Sequence, residues 1–222
     1  MKTIVVTGCA GLLGSHFSRH LLSKGYKVIG IDDLSGGYSD YLPKATPEQF
    51  EFWPLDLSDG EWAPRSLEHI FIDPRRDIVA CYHFAAYAAE GLSPFIRHFN
   101  YTNNVLGSVN VINQCINHNV KLIFTSSMAV YGNHYPPFFE AMGPAPIDPY
   151  GIAKYAIEQD IRVAREQHGL FVHIMLLVFI RISGTSTATL QAFLFVASSL
   201  VSQCSSTETV NRLVRSLISS IT

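Results

Sequence analysis

The first fifteen residues constrain this chain more than any other stretch. An apolar, β-branched run from Thr3 to Thr7 leads directly into Thr7-Gly8-Cys9-Ala10-Gly11-Leu12-Leu13-Gly14, and the apolar-periodic stretch LLGSHFSRHLLSKG then ends at Gly25. β-Branched residues favour a buried strand, and apolar positions at helical spacing favour a helix. A strand that passes through a glycine turn straight into a helix opens a βαβ unit. The spacing GxxGxxG permits a tight turn and lets the backbone approach a pyrophosphate, whose charge the free N–H groups and dipole of the helix stabilise. Three glycines alone also occur in turns that hold no ligand, so the remaining chain decides between the two.

The pattern repeats. KVIGID (27 to 32), FEFWPLDL (50 to 57), DIVACYHFAA (77 to 86), KLIFTSS (121 to 127) and a segment near 171 to 178 read as further strands. Helices are expected from about 95 to 119 and from about 150 to 169. Alternation of this kind predicts a doubly wound, Rossmann-like α/β fold with a parallel sheet between helices. With 222 residues, 48% hydrophobic and only 15% charged, the chain can bury one large core. A net charge of −2 offers no field for nucleic acid or anionic lipid. The cysteines at 9, 81, 115 and 204 form no CxxC pair and stand at no metal spacing, so reduced buried thiols, no metal site and a cytoplasmic location are expected. The amino terminus reads as a first strand, not a signal peptide.

Asp32 ends the second strand, 18 residues beyond Gly14, where a carboxylate can accept both hydroxyls of an adenosine ribose. No Arg or Lys lies between Asp32 and Pro43 to receive a 2′-phosphate, so NAD is favoured over NADP. Asp56 and Leu57 close the third strand, and His83, Phe84, Ala85 and Ala86 close the fourth, at the carboxyl ends where ligands of open parallel sheets bind. Small residues there let a cofactor lie against backbone. His83 is read either as a packed core histidine or as part of the site, without a catalytic role.

Tyr150-Gly151-Ile152-Ala153-Lys154 sets a phenol and an ammonium four residues apart, on one face of a helix that begins after Pro149. A lysine and a cationic nicotinamide beside the tyrosine would favour its phenolate and lower its pKa. Tyr150 could then take a proton from a substrate hydroxyl as hydride leaves the same carbon. Ser127, after the fifth strand, would offer its hydroxyl to the same oxygen.

Taken together, TGCAGLLG, the Asp32 strand end, DL at 56 and 57, HFAA, NNVLGS at 103 to 108, SSMAVYG and YGIAK resemble the extended short-chain dehydrogenase/reductases. The likeness is closest to the NAD-dependent nucleotide-sugar epimerases of the UDP-glucose 4-epimerase type, and it covers about residues 2 to 174. It implies bound NAD, a UDP-sugar substrate and a C4 epimerisation through a 4-keto sugar. In that reaction Tyr150 acts as base, Lys154 holds the nicotinamide ribose and tunes Tyr150, and Ser127 binds the reacting oxygen. The resemblance also implies that Asn104 helps hold the cofactor region, although an amide bracing its own helix is an equal reading. Family members often dimerise through helices equivalent to 95–119 and 150–169, so a homodimer is implied as well. Dehydratases of the family carry an acidic pair where this chain has Met128 and Ala129, neither of which transfers a proton, so dehydration is disfavoured while a reductase stays open.

The chain divides at about residue 178. All eleven prolines and all six lysines precede residue 155, whereas the stretch from Arg181 onward holds sixteen Ser or Thr, one Gly and four charges. The substrate-binding motifs that follow in the family are missing from segment 179–222. Its composition favours an altered or out-of-frame terminus on a C-terminally truncated epimerase-like chain. An amphipathic packing element is a second reading, and a membrane anchor, interrupted by Arg181, a third. The alternative to an active epimerase is therefore an inactive NAD-binding fragment.

Overall fold

The computed structural model describes residues 1–135, 138–139, 141–181 and 190–196. The chain runs through β1 (Thr3–Thr7), α1 (Leu12–Ser23), β2 (Lys27–Asp32), β3 (Phe50–Pro54), α2 (Trp62–Ile72) and β4 (Ile78–His83). A helical rod follows, made of α3 (Arg97–Tyr101), a π-helical segment (Thr102–Leu106) and α4 (Gly107–Asn117). Beyond it lie β5 (Lys121–Ser127), α5 (Pro149–His168), β6 (Val172–Arg181) and β7 (Leu190–Val196).

The strands form one sheet in the order β3-β2-β1-β4-β5-β6-β7. The first six are parallel, as expected, and β7 pairs antiparallel with β6 at the edge. The order reverses between β1 and β4. There the connections leave in opposite directions and a crevice opens at the carboxyl ends of the strands.

Alternation along the strands sends side chains to two layers. Val5, Ile29, Cys81, Leu122 and Phe124 pack with Leu67 and Ile70 of α2, Ile112 of α4, and Ile157 and Ile161 of α5. Ile4, Val6 and Val28 face the other way, against Phe17 and Leu21 of α1. The sheet is thus covered by α1 on one side and by α2, α4 and α5 on the other.

Two expected strand ends move, and one helix is added. β3 stops at Pro54 rather than 57, because the Asp56 carboxylate turns the chain by accepting from the Ser58 amide at 2.8 Å. β4 stops at His83 rather than 86, because the Ala85 amide donates to Thr7 Oγ1 at 3.1 Å and leaves the ladder. The helix Trp62–Ile72 was not singled out by sequence pattern. The backbones of β6 and β7 reach into the segment from 179 onward, but the rest of that segment, and with it the three readings of the tail, lies outside the described residues. Among the described residues no helix is long and apolar enough to cross a membrane.

Candidate active site

The crevice between β1 and β4 holds a cleft of about 390 Å³, within the size range of small-molecule sites. One wall is the glycine turn. Gly8 adopts φ +69°, a left-handed conformation, and a Cβ there would stand 2.7 Å from the Ala85 amide nitrogen. Only glycine lets the turn after β1 lie this close to the chain leaving β4. A Cβ at Gly14 would fall on the Gly8 carbonyl, so that glycine fits α1 against the turn. Gly11 differs. A Cβ there would meet only the Gly8 carbonyl oxygen, at 3.3 Å, and α1 begins beside it with no side-chain cap.

Asp32, 8% exposed, lines the cleft beside the glycine turn. Its carboxylate accepts from the Ala10 amide at 2.9 Å and from the Leu34 amide at 2.8 Å, one bond to each oxygen. Each oxygen keeps a further lone pair for a ligand. Burial raises its pKa, and the two amide donors oppose that.

Of the residues expected around a cofactor, Gly8, Gly11, Asp32, Asp56, Leu57, Phe84, Ala85 and Ala86 line the cleft. Leu12, Leu13, Gly14, Asn104, Tyr150 and Lys154 are not part of that wall. The cleft also takes in Asn103 and Gly107 of the NNVLGS run, and, beyond the sequence motifs, Ser35, Gly36 and Gly37 after β2 and Tyr87 to Ala89 after β4. Gly37 is needed there, since a Cβ would stand 2.8 Å from the Ala10 Cβ.

Two buried networks hold this wall. Asn104 accepts from the Tyr87 amide at 2.7 Å, and its own amide donates to the Tyr87 carbonyl at 3.2 Å and to Asn100 Oδ1 at 2.9 Å. Asn100 in turn donates to the Pro149 carbonyl at 2.9 Å, next to Tyr150. Asn104 therefore braces the loop that lines the cleft, from a π-helical turn, a distortion frequent at functional sites.

The second network settles the reading of His83. Ser108 Oγ donates to the Asn104 carbonyl at 2.6 Å, so it accepts from His83 Nε2–H at 2.8 Å. His83 Nδ1 then accepts from the Thr7 hydroxyl at 2.7 Å, and that hydroxyl accepts the Ala85 amide. The tautomer follows from this assigned network. Burial, with the Lys154 charge nearby, pushes the imidazole down to about 3. His83 is a neutral brace linking β1, β4 and the helical rod.

Tyr150 and Lys154 occupy the start of α5, which the sequence Asp148-Pro149 initiates. The Asp148 carboxylate accepts from the Tyr150 and Gly151 amides at 2.8 and 3.0 Å, and proline takes the first helical position. Tyr150 is 8% exposed, and the Ser127 hydroxyl at the end of β5 is close enough to favour its phenolate. Lys154 Nζ donates to the Thr125 carbonyl at 2.8 Å and lies 4.9 Å from the Phe124 ring centre and 5.9 Å from that of Tyr150. Ser127, Tyr150 and Lys154 are thus brought together.

The electrostatics differ from the simple expectation. Burial pushes the Tyr150 phenol up to about 12, with Glu90 and Asp148 adding to the rise and the Ser127 hydroxyl opposing it. Lys154 does not reverse this, because its own ammonium is desolvated and pushed down to about 8.

The family model for the NAD-dependent epimerase/dehydratase family matches residues 4–183. The bifunctional protein gal10 of Schizosaccharomyces pombe is 36% identical over 168 residues, which make up 72% of this chain and 23% of that protein. The UDP-glucose 4-epimerase of Thermotoga maritima, solved with UDP-glucose, shares 32% identity and a TM-score of 0.70 over 78% of this chain and 54% of its own. The Brucella ovis UDP-glucose 4-epimerase, solved in complex with NAD, shares 29% identity at a TM-score of 0.70, over 78% of this chain and 51% of its own. The chain spans about half of each of these solved enzymes and about a quarter of the yeast protein.

Proposed function

The chain belongs to the NAD-dependent epimerase/dehydratase family, and from that membership we propose that it binds NAD in the cleft between the ends of β1 and β4 and serves a UDP-sugar 4-epimerisation of the UDP-glucose 4-epimerase kind. The observation that carries this reading is the juxtaposition of Ser127, Tyr150 and Lys154 at the end of β5 in a chain whose glycine turn is hydrogen-bonded, through the Ala10 amide, to Asp32 on the wall of the cleft.

The residues present fit the cofactor. Gly11 leaves the uncapped start of α1 open to a pyrophosphate, and Asp32 retains acceptor capacity for ribose hydroxyls. Gly8 and Gly14 shape the turn, with Leu12 and Leu13 in the first turn of α1. Asp56, Leu57, Phe84, Ala85 and Ala86 line the remaining wall, and Asn104 holds it. NAD, when bound, supplies hydride acceptance and return at the sugar carbon.

The proton chemistry belongs to the chain. Tyr150, protonated at neutral pH, must lose its proton to act as base at a sugar 4-hydroxyl. The Ser127 hydroxyl and the charge of Lys154 are the groups that favour its phenolate. When Tyr150 later returns the proton, the same neighbours hold the reacting oxygen. Met128 and Ala129 offer no second acid or base, which favours epimerisation over dehydration.

The test uses the full chain incubated with NAD and UDP-glucose, with UDP-galactose and protein-bound NAD measured separately. Expected are bound NAD and conversion that falls about 10²–10⁴-fold in Tyr150→Phe with NAD retained. Bound NAD without conversion assigns only cofactor binding to this chain. Absence of NAD binding overturns the reading.

A further inference from the structure

Lys154 is a buried cation, and a buried cation needs compensation. Among the described residues the groups facing it come from three strands or helices. β5 supplies the Thr125 carbonyl and the face of Phe124, and β4 supplies His83, which is neutral. α5 supplies Tyr150, protonated at neutral pH, and Glu158. Glu158 is the group in this set that can carry a negative charge at neutral pH. It lies four residues beyond Lys154 and so shares its side of α5. Its carboxylate accepts a short hydrogen bond from the Ser126 hydroxyl, and Ser126, 2% exposed, immediately precedes Ser127 on β5. One carboxylate therefore touches the strand that carries Ser127 and Thr125 and flanks the lysine that approaches Tyr150.

We propose that Glu158 is a positioning residue of the site, anchored by Ser126, whose charge acts on the Lys154 ammonium beside Tyr150 from one helical turn away, without a direct ion pair. The proposal rests on the reading of Ser127, Tyr150 and Lys154 as the proton-transfer set. Two further observations support it. Glu158 opposes the burial that lowers the pKa of Lys154, and burial raises the pKa of Glu158 itself while Ser126 and Lys154 oppose that rise. Without Glu158, burial alone would act on the lysine, and the ammonium would give up its proton closer to neutrality.

The experiment reads Lys154 directly and needs no turnover. The full chain carrying ¹³C-labelled lysine is titrated by NMR, the Lys154 signal being identified by its loss in Lys154→Arg. In Glu158→Gln the Lys154 midpoint should fall by about one pH unit, a tenfold loss of ammonium relative to free amine at any pH well above the midpoint. Glu158→Asp should restore part of the shift. Ser126→Ala, which keeps the carboxylate but removes its anchor, should move the midpoint the same way by less, and it carries the test if Glu158→Gln does not fold. A merely structural role would lower stability in these variants while leaving the midpoint in place. An unchanged Lys154 midpoint in Glu158→Gln, or in Ser126→Ala if that variant alone folds, overturns the proposal even if the chain proves to be an active epimerase. A shifted midpoint in a chain that converts no UDP-glucose upholds the coupling and removes only the assigned reaction.

Discussion

Replacing the glycines of the first turn one at a time by alanine separates what the fold needs from what a ligand needs. At Gly8 the backbone sits at φ +69°, which costs alanine about 1–2 kcal/mol. The new Cβ would lie 2.7 Å from the Ala85 nitrogen and 2.9 Å from the Ala85 Cα. Both are backbone atoms, so relief requires parting the turn from the end of β4, an overpacking cost of roughly 1–3 kcal/mol. The sum is about 2–5 kcal/mol, and at about 2–4 °C per kcal/mol for a chain of this size Tm should drop by roughly 4–20 °C. At Gly11 the backbone has φ −82° and ψ 173°, open to any residue, and the Cβ would meet only one carbonyl oxygen at 3.3 Å. Gly11→Ala should leave the Tm of the NAD-free protein within about 2 °C of wild type while weakening NAD binding about tenfold or more, or roughly 1.4 kcal/mol. Thermal unfolding followed by circular dichroism, with and without NAD, gives both quantities. If Gly11→Ala loses as much Tm as Gly8→Ala without NAD, or if Gly8→Ala loses none, the division of roles among these glycines is wrong.

Two further outcomes follow from the same geometry. Asn104→Ala strips the Tyr87 amide of its acceptor, while the Tyr87 carbonyl keeps the Ala89 amide; the loss should cost about 1–3 kcal/mol and speed amide exchange at Tyr87, and unchanged exchange would remove the bracing role. Lys154, held at about 8 by burial against an ordinary 10.5, makes the folded chain bind fewer protons than the unfolded chain between those values, so its contribution to stability rises with pH through that window. Urea unfolding at about pH 7.5 and 9.5 should therefore move wild type relative to Lys154→Met by about 2 kcal/mol in favour of wild type at the higher pH, and parallel profiles would refute the depressed lysine. The buried thiols of Cys9 and Cys81, whose raised pKa values act in the opposite direction, are common to both proteins and cancel in the comparison.

What could be read from the sequence was whatever rests on short spacing. The glycine turn spans seven residues, the Tyr150–Lys154 pair one helical turn, and the helix start is marked by Pro149 alone. Each is a local rule of backbone conformation or helix geometry, and each reappears in the fold. Asp32 was legible one step further out, because the length of a βα unit fixes where the second strand ends. The helix Trp62–Ile72 escaped because it is short and leaves Trp62 and Ile72 exposed at its ends, which blurs its apolar stripe.

The remainder depends on contacts that no local pattern encodes. His83 looked equally like a core residue and a site residue because its two partners, Thr7 and Ser108, lie 76 and 25 residues away. Asn104 read equally as a residue that helps hold the cofactor region and as a brace of its own helix, because its partner Tyr87 belongs to a loop after a different element. The largest gap concerned charge. From spacing alone a lysine four residues from a tyrosine should make the phenol more acidic, and in water it would. In this fold burial reaches both groups first, raising the phenol and lowering the ammonium, and the proposed pairing calls on a third charge to oppose the desolvation of the lysine. That third charge, Glu158, is one further helical turn along the same sequence. It became legible only when Ser126 on β5 was seen to hold it, since exposed helices carry glutamates at such spacing as a matter of course.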